Sequence, residues 1–593
     1  MTIDVTYLND GTDKIALARP ALYAMANKVN ELDATVAGMT APELAVKDEG
    51  TTLTTAATSI NFTGSGVLAT NSGGNVTVTI PGGGGGGGAS DAVDVSYSPA
   101  GTGAVATTVQ TKLRESVSVK DFGAVGDGVA NDAAAIQEAV NAITSYGGGD
   151  IKFPAGTYLL NSTVNILLSG ISLTGDNQQS TWIVNGQTNL PAIKFGDGSN
   201  TYNRNSISNM VFGQKSGVTA SSGNCGLMVT KCGNFKLENV QVFNYPSALY
   251  DGVIFDGVTQ SYVSNFGFQS CTNIGWKLRN NTFDIYASNG RSDTNAYGFH
   301  IRDCQGLYFS NVSAYANSEN GFHISTDGAN NTRYLFFNNC VADSSGKTNW
   351  DVLQLTVGAF TGCWASTQTS QAANPTADGW RLSGGVLSDI TFTSCITLAN
   401  NRHGIFCEYA NKVSIVGCVM GSGYDMTAFG GKGPGNGLGS GAGSGIAIGA
   451  FATKVRVSGG TFDNNQRYGI EVASGADMVD VSGIEARFNV SGPFLNSANS
   501  STHKCKASNI GGYNPVGYIA PPSVPASGVE VENKTGVDCM VYLTGGTVSE
   551  IRVGATGATA GVLSSTPGSI FVPAGQFVKL AYTAVPAWQW IGN

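Results

Sequence analysis

Half of the chain's four histidines stand in one repeated tetrapeptide, Gly298-Phe299-His300-Ile301 and Gly321-Phe322-His323-Ile324, 23 residues apart. Imidazoles at equal positions of a repeat suit two kinds of chemistry. They move protons near neutral pH, and beside Arg or Lys they bind carboxylates. If Gly298 opens a strand, Phe299 and Ile301 point inward while His300 and Arg302 point out. The same phase applied to neighbouring repeats builds one outward column of Lys277, His300, His323, Gln354 and Arg381. A second holds Asp256, Arg279, Arg302, Ser325, Ser383 and Glu408. Six basic side chains, Lys277, Arg279, His300, Arg302, His323 and Arg381, thus share one strip of a chain whose net charge is -9. Such a strip suits an acidic glycan. Tyr297 and Trp380, with Tyr250, Tyr315 and Trp350, stand near the strand starts, placed either to stack on sugar rings or to fill the core.

Carboxylates select among reactions. Hydrolysis of a glycosidic bond needs an acid and a partner carboxylate about 5–5.5 Å apart for retention or about 6.5–9.5 Å for inversion. Side chains one and two rungs apart in a column fall near these separations. Asp351 and Asp378 are expected in one turn column beside Asn320 and His403, with Glu319 one residue outside it. Asp293 lies one rung before, and Glu408 ends a following strand. Glu319 or Glu408 would be the acid, and Asp351 or Asp378 the base or nucleophile. Elimination from a uronate is the alternative, with His300 or His323 as base and Arg302 or Arg279 on the sugar carboxylate. A non-catalytic adhesin is the third reading, because a fold does not carry function. No acidic Ca²⁺ cluster is evident, so neither metal nor cofactor is expected.

The elements that must position these residues follow from the repeat. Gly followed by an apolar-x-apolar triplet recurs at Gly226, Gly252, Gly275, Gly298, Gly321, Gly379, Gly404, Gly445 and Gly469, mostly 23 to 26 residues apart, and "DVLQL" (351–355) fills the long gap. A second register runs through "LENV", "VSNF", "FSNV", "FNNC", "FTGC", "FTSC" and "IVGC". Two strands per short repeat predict stacked coils, a parallel β-helix spanning 146–520. Cys340, Cys363, Cys395 and Cys418 would form an inward column of thiols without disulfides.

Other segments flank the coils. Residues 1–90 hold an apolar stripe, Leu22, Met25, Val29, Leu32 and Val36, suited either to a short coiled coil or to a helix packed on its own domain. "GNVTVTI" reads as a strand, and a polyglycine run at 81–88 as a linker. Residues 91–145 form a neck and a capping helix with Ile136, Val140 and Ile143 on one face, N-capped by Asn131 or Asp132. Asp121, Asp127 and Asp132 are read as turn and cap residues. Residues 521–593 predict a small antiparallel β domain from Val541/Leu543, Ile551/Val553, Ile570/Val572 and Val578/Leu580. The Gly-rich 430–445 segment reads as a mobile insertion.

Only 12% of residues are charged and 81 are Gly, which argues for a turn-rich β chain, and the acidic balance argues against a nucleic-acid binder. No stretch nears the roughly 20 apolar residues of a membrane helix, and Met1-Thr2-Ile3-Asp4 does not begin an export signal. Eleven Cys at no metal-ligand spacing suggest synthesis in a reducing cytosol.

"SVSVKDFGAVGDGVANDAAAIQEAV" followed by "IKFPAGTYLL" resembles the opening of the pectate-lyase-like right-handed β-helix of bacteriophage tailspikes and capsule depolymerases, and "VPAGQFVKLAYTAVPAWQW" resembles the small β domain that ends many spikes. The resemblance implies a homotrimer on the virion tail, attached through its N-terminal region, that binds and depolymerises a bacterial capsule, exopolysaccharide or O-antigen. It also implies a trimerisation or carbohydrate-binding role for the C-terminal domain. A secreted pectin-degrading enzyme would leave the N-terminal region and linker unexplained.

Overall fold

The computed structural model describes residues 91–592 apart from 245–246, 329–330, 367–373, 422–434, 440–441, 499–504, 512–516, 556–560 and 565–567. It also describes the earlier elements Arg19–Ala37, Leu44–Asp48, Thr51–Ala57, Leu68–Ser72 and Asn75–Thr79. Two compact units result, Met1–Val109 and Gln110–Asn593. In the first, the helix Arg19–Ala37 leaves Leu22, Met25, Val29 and Leu32 exposed. Two antiparallel hairpins follow, Leu44–Asp48 with Thr51–Ala57 and Leu68–Ser72 with Asn75–Thr79. The polyglycine run lies outside the described residues.

The second unit is built mainly of a β solenoid. One parallel sheet of 13 strands runs from Val164–Ile166 to Gly492–Asn496, and a second, of 23 strands, supplies the remaining faces of the coils. Two sequence features impose this geometry. The first is the repeated glycine, which permits close approach: a Cβ on Gly298 would sit 2.6 Å from the Gly321 carbonyl oxygen. The second is the residue at the bend of the long strands. Asn239, Asn265, Asn289, Asn311 and Asn339 all adopt positive φ near 50–56°, a conformation that Asn tolerates better than most residues. The "SN" and "NN" pairs of the second register are therefore the corners of the coil.

Inside, the first inward position of the 13-stranded sheet carries large rings, Trp276, Phe299, Phe322, Trp350 and Trp380, all fully buried. Phe322 stacks on Trp350 at 3.9 Å, and Trp350 on Trp380 at 5.7 Å. Cys340, Cys363, Cys395 and Cys418 are buried as expected, and every cysteine is a free thiol. A buried amide ladder runs beside them. Asn349 donates to Asn400, Asn400 to Asn436, Asn436 to Asn465 and Asn465 to Asn489, over 2.8–3.2 Å.

This ladder corrects the reading of 430–445 as a wholly mobile insertion. Residues 422–434 and 440–441 lie outside the described residues, but Asn436 and Ser444 are fully buried parts of the coil. Replacing Asn436 with alanine cuts the ladder between Asn400 and Asn465, and denaturant unfolding should show a loss of about 1–3 kcal/mol. An unchanged midpoint would mean that the ladder contributes nothing.

The capping helix Ala133–Ser145 buries Ile136, Ala139, Val140 and Ile143 against the strands Gly149–Phe153 and Val164–Ile166, covering an otherwise open sheet edge. Asp132 occupies the N-cap position, yet its carboxylate accepts hydrogen bonds from the Val125 and Gly126 N–H groups. Asp127 accepts from Val129 and Ala130, and Asp121 from Ser118. All three are turn and cap residues. Past the last coil, two four-stranded antiparallel sheets enclose Val541, Ile551, Val572, Leu580 and Trp590.

Candidate functional site

The strand Tyr297–Arg302 has the expected phase. Phe299 and Ile301 are fully buried, and His300 and Arg302 lie on the outer face of the 13-stranded sheet. The register then departs from expectation. Parallel pairing aligns Lys277 with His300, His300 with His323, His323 with Asp351 and Asp351 with Arg381. Asp351 therefore belongs to the histidine column. Gln354, expected there, is buried in a turn where its amide oxygen accepts from the Val386 N–H. The strand Trp350–Val352 turns Trp350 and Val352 inward, three residues upstream of the inward pair assumed from "DVLQL". The missed signal is the aromatic column: Trp350 stands in line with Phe322 and Trp380.

Asp351 and Asp378 accordingly do not share a column. Asp378 lies at the preceding turn, fully buried, its carboxylate gripped by Arg402 through Nε at 2.8 Å and Nη2 at 2.5 Å, with the His403 N–H donating at 3.0 Å. Burial raises the pKa of its carboxyl, and the Arg402 charge opposes that. Asp293 ends the strand Phe283–Asp293 of the other sheet, 3.7 Å from Arg291. Trp380 is fully buried between Trp350 and Phe392, so it builds the core and offers no face to a sugar.

What does assemble is a cluster around His323. Its Nδ1 meets the Asp351 carboxylate at 2.9 Å. The Tyr297 ring lies 6.1 Å from His300 and 5.6 Å from His323, and the two imidazoles are 4.9 Å apart. The Tyr297 hydroxyl reaches Glu319 at 3.5 Å, and Glu319 pairs with Lys347, a residue that sequence reading overlooked. Burial first, then the Glu319 charge, raises the Tyr297 pKa, so the phenol stays protonated. Burial, then the charges of His323, Lys277 and Arg302, lowers His300 to about 3. Its Nε2 lies 3.2 Å from the Ser325 hydroxyl.

The strip is not a bare cationic groove. Lys277 pairs with buried Asp251 at 3.1 Å and Arg279 with Asp256 at 2.8 Å. Arg302 lies 3.7 Å from Asp303 and 3.8 Å from Asp327, and Arg381 lies 3.5 Å from Glu408. Rungs about 4.8 Å apart would stack like charges along a column, and interleaved carboxylates relieve that repulsion. The pairs differ in tightness. Arg302 and Arg381 hold long contacts and remain 31% and 38% exposed, which leaves them free to engage an incoming carboxylate.

A pH dependence follows from two imidazoles, the buried His403 and the half-buried His300. His300 and His403 are both lowered from 6.5 to about 3, chiefly by burial. Below about pH 6.5 the unfolded chain takes up protons that the folded chain does not. The contribution to stability is thus complete above that pH and is lost as pH falls, by at most about 1.4 kcal/mol per pH unit per histidine. Urea midpoints should drop between pH 6.5 and 5.5, less steeply in His403→Gln. A flat profile would count against both assignments.

Residues 116–323 match the family described as rhamnogalacturonase A/epimerase, pectate lyase-like. Mannuronan C5-epimerase AlgE4 of Azotobacter vinelandii is 27% identical over 218 residues, 35% of this chain and 36% of the epimerase. The tail spike protein of Shigella phage Sf6 is 34% identical over 82 residues, 13% of each chain. The chain thus spans well under half the length of these curated relatives. Tailspike protein 3 of bacteriophage CBA120 superposes with a TM-score of 0.50 at 14% identity, covering 75% of this chain and 71% of that one. Residues 116–323 thus resemble a pectate-lyase-like domain. The chain's solenoid is a fold that the CBA120 tailspike protein also has, and its relatives in sequence include a mannuronan C5-epimerase and a phage tail spike.

Proposed function

We propose that the chain is a phage tailspike that binds an acidic bacterial surface polysaccharide and cleaves it by β-elimination at a uronate. The observation that carries this reading is the placement of Tyr297 against His323, with Asp351 behind the imidazole. With Nδ1 donating to Asp351, Nε2 holds the lone pair, the tautomer of a general base. His323 takes the sugar C5 proton, the C5–H electrons form the C4–C5 double bond, and the C4–O4 bond breaks. The protonated Tyr297 phenol delivers a proton to the leaving O4. Arg302 or Arg381 holds the uronate carboxylate, whose negative charge grows as the proton departs. The likeness to a C5-epimerase supports this reading, since inversion at C5 and elimination share the loss of the same proton.

Hydrolysis is the second reading. It is favoured by one observation: Glu319 and Asp351 both act electrostatically on Tyr297 and Lys347, so two carboxylates border one position. In both readings residues 1–90 attach the spike to the tail, the spike is a homotrimer, and the C-terminal β domain serves assembly or sugar binding. The exposed stripe Leu22, Met25, Val29 and Leu32 supports a coiled coil between copies.

The test is incubation with a panel of acidic capsular polysaccharides, following reducing ends together with the ultraviolet absorbance of unsaturated uronates. Both signals together are expected. Reducing ends without absorbance would transfer the assignment to Glu319 and Asp351, and tight binding with neither signal would leave an adhesin.

A further inference from the structure

A second groove lies on the other sheet, away from the histidine column. The strands there repeat Tyr262-Val263-Ser264-Asn265, Tyr286-Ala287-Ser288-Asn289, Tyr308-Phe309-Ser310-Asn311 and Phe336-Phe337-Asn338-Asn339, in direct register. Tyr262, Tyr286, Tyr308 and Phe336 form one outward ladder. Successive rings lie 5.3, 4.8 and 5.1 Å apart and within 17° of parallel. Ser264, Ser288, Ser310 and Asn338 form the parallel column, and a groove of about 940 Å³ opens between the two.

The fold does not require these rings. The next two rungs carry Ala359 and Thr391 at the same position. The tyrosines stay 58%, 43% and 38% exposed. No hydroxyl of Tyr262, Tyr286, Tyr308, Ser264, Ser288 or Ser310 has a hydrogen-bond partner among the described residues, so two lines of hydroxyls face the groove unsatisfied by protein. Lys236, the one charged residue lining it among the described residues, is paired with Glu238 at 2.6 Å. Mutual stacking covers the inner ring faces and turns apolar edges and phenol hydroxyls outward. The two ends of the ladder differ: Tyr262 stands in register with Lys236, and Phe336 with the small Ala359.

We propose that this groove binds an uncharged stretch of a linear polysaccharide laid along the solenoid axis. Sugars present apolar C–H faces and neutral hydroxyls, the complement of ring edges and free serine and tyrosine hydroxyls. Rungs recur about every 4.8 Å, close to the advance of an extended 1,4-linked pyranose, so each successive sugar meets the same Tyr–Ser pair. A second copy of this chain would instead seek a broad, flat face, whereas this surface is concave, built chiefly of apolar ring edges with serine and tyrosine hydroxyls set along it. The groove is a holding site for glycan, separate from the reactive cluster and independent of whether that cluster eliminates or hydrolyses.

Native electrophoresis through gels containing hydroxyethyl cellulose, galactomannan, laminarin or dextran tests the assignment. The full chain should be retarded by at least one polymer, and the triple variant Tyr262→Ala, Tyr286→Ala, Tyr308→Ala should lose that affinity at least tenfold with an unchanged thermal midpoint. The triple Tyr→Phe variant keeps the stack and deletes the phenol hydroxyls, and it should weaken binding as well. Retardation of the alanine variant equal to that of the parent chain, or no retardation by any of the four polymers, overturns the proposal. So does a fall in sedimenting mass of the alanine variant without polymer binding, which would make the ladder a subunit interface.

Discussion

Replacing His323 with alanine should slow turnover of an acidic polysaccharide by about 10²- to 10⁴-fold, the range for removing a positioned general base, and should leave KM within a few-fold. The imidazole is fixed from behind by Asp351 at 2.9 Å, and Arg302 and Arg381, which would hold the substrate, are untouched by the change. Tyr297→Phe should give a loss of similar size, because it removes the proton for the leaving oxygen while keeping the ring that packs on both imidazoles. Asp351→Asn should be intermediate: the amide can still accept from Nδ1–H, but it no longer stabilises the imidazolium that forms. The pattern separates the two chemistries. In elimination His323 and Tyr297 dominate and Glu319→Gln is mild. If Glu319→Gln abolishes turnover while His323→Ala retains most of it, the elimination assignment falls and the carboxylate reading takes its place.

The difference between what could and could not be read in advance lies in phase against register. Phase is local. His300 points out because Phe299 and Ile301 are apolar, and alternation within one strand is enough to say so. Register between coils depends on every intervening turn, and turns of irregular length hide it. Between Ile324 and Trp380 the glycine marker is missing, "DVLQL" offers two apolar pairs, and the choice of the later one displaced Asp351 from its true column. The ring of Trp350, stacked between Phe322 and Trp380, resolves the ambiguity in the structure. Charge pairing was hidden for the same reason. The basic residues were visible in sequence, but their partners Asp251, which opens a strand, and Asp303 and Asp327, which lie in turns, stand at positions whose alignment no single-chain periodicity gives. The coil itself was legible because two markers, a glycine under a neighbouring carbonyl and an asparagine, serine or glycine at a left-handed corner, recur in most of its turns.

Asp378 shows how a carboxylate that reads as catalytic can be a stabilising element. Asp378→Ala should destabilise the solenoid by about 3–5 kcal/mol, the cost of breaking a buried ion pair by removing one partner. The carboxylate is fully buried and takes three hydrogen bonds, two from Arg402 and one from the His403 N–H. Arg402 is also stacked over Phe406 at 4.6 Å and is only 22% exposed, so water compensates for little of the lost partner. The adjoining His403 ring, which accepts the Ser444 N–H at 3.1 Å, carries the disturbance into the next coil, where Ser444 meets Glu471. Coils contact mainly their neighbours, so the loss should appear first as local opening. Hydrogen exchange should quicken in Trp380–Leu382, Ile405–Cys407 and Ile446–Ile448 before it does so in Tyr297–Arg302. At a temperature where the variant remains folded, its turnover should stay within a few-fold of the parent chain, because Asp378 touches none of Tyr297, His323 or Asp351. A variant of normal stability that has lost turnover would make Asp378 part of the reaction after all.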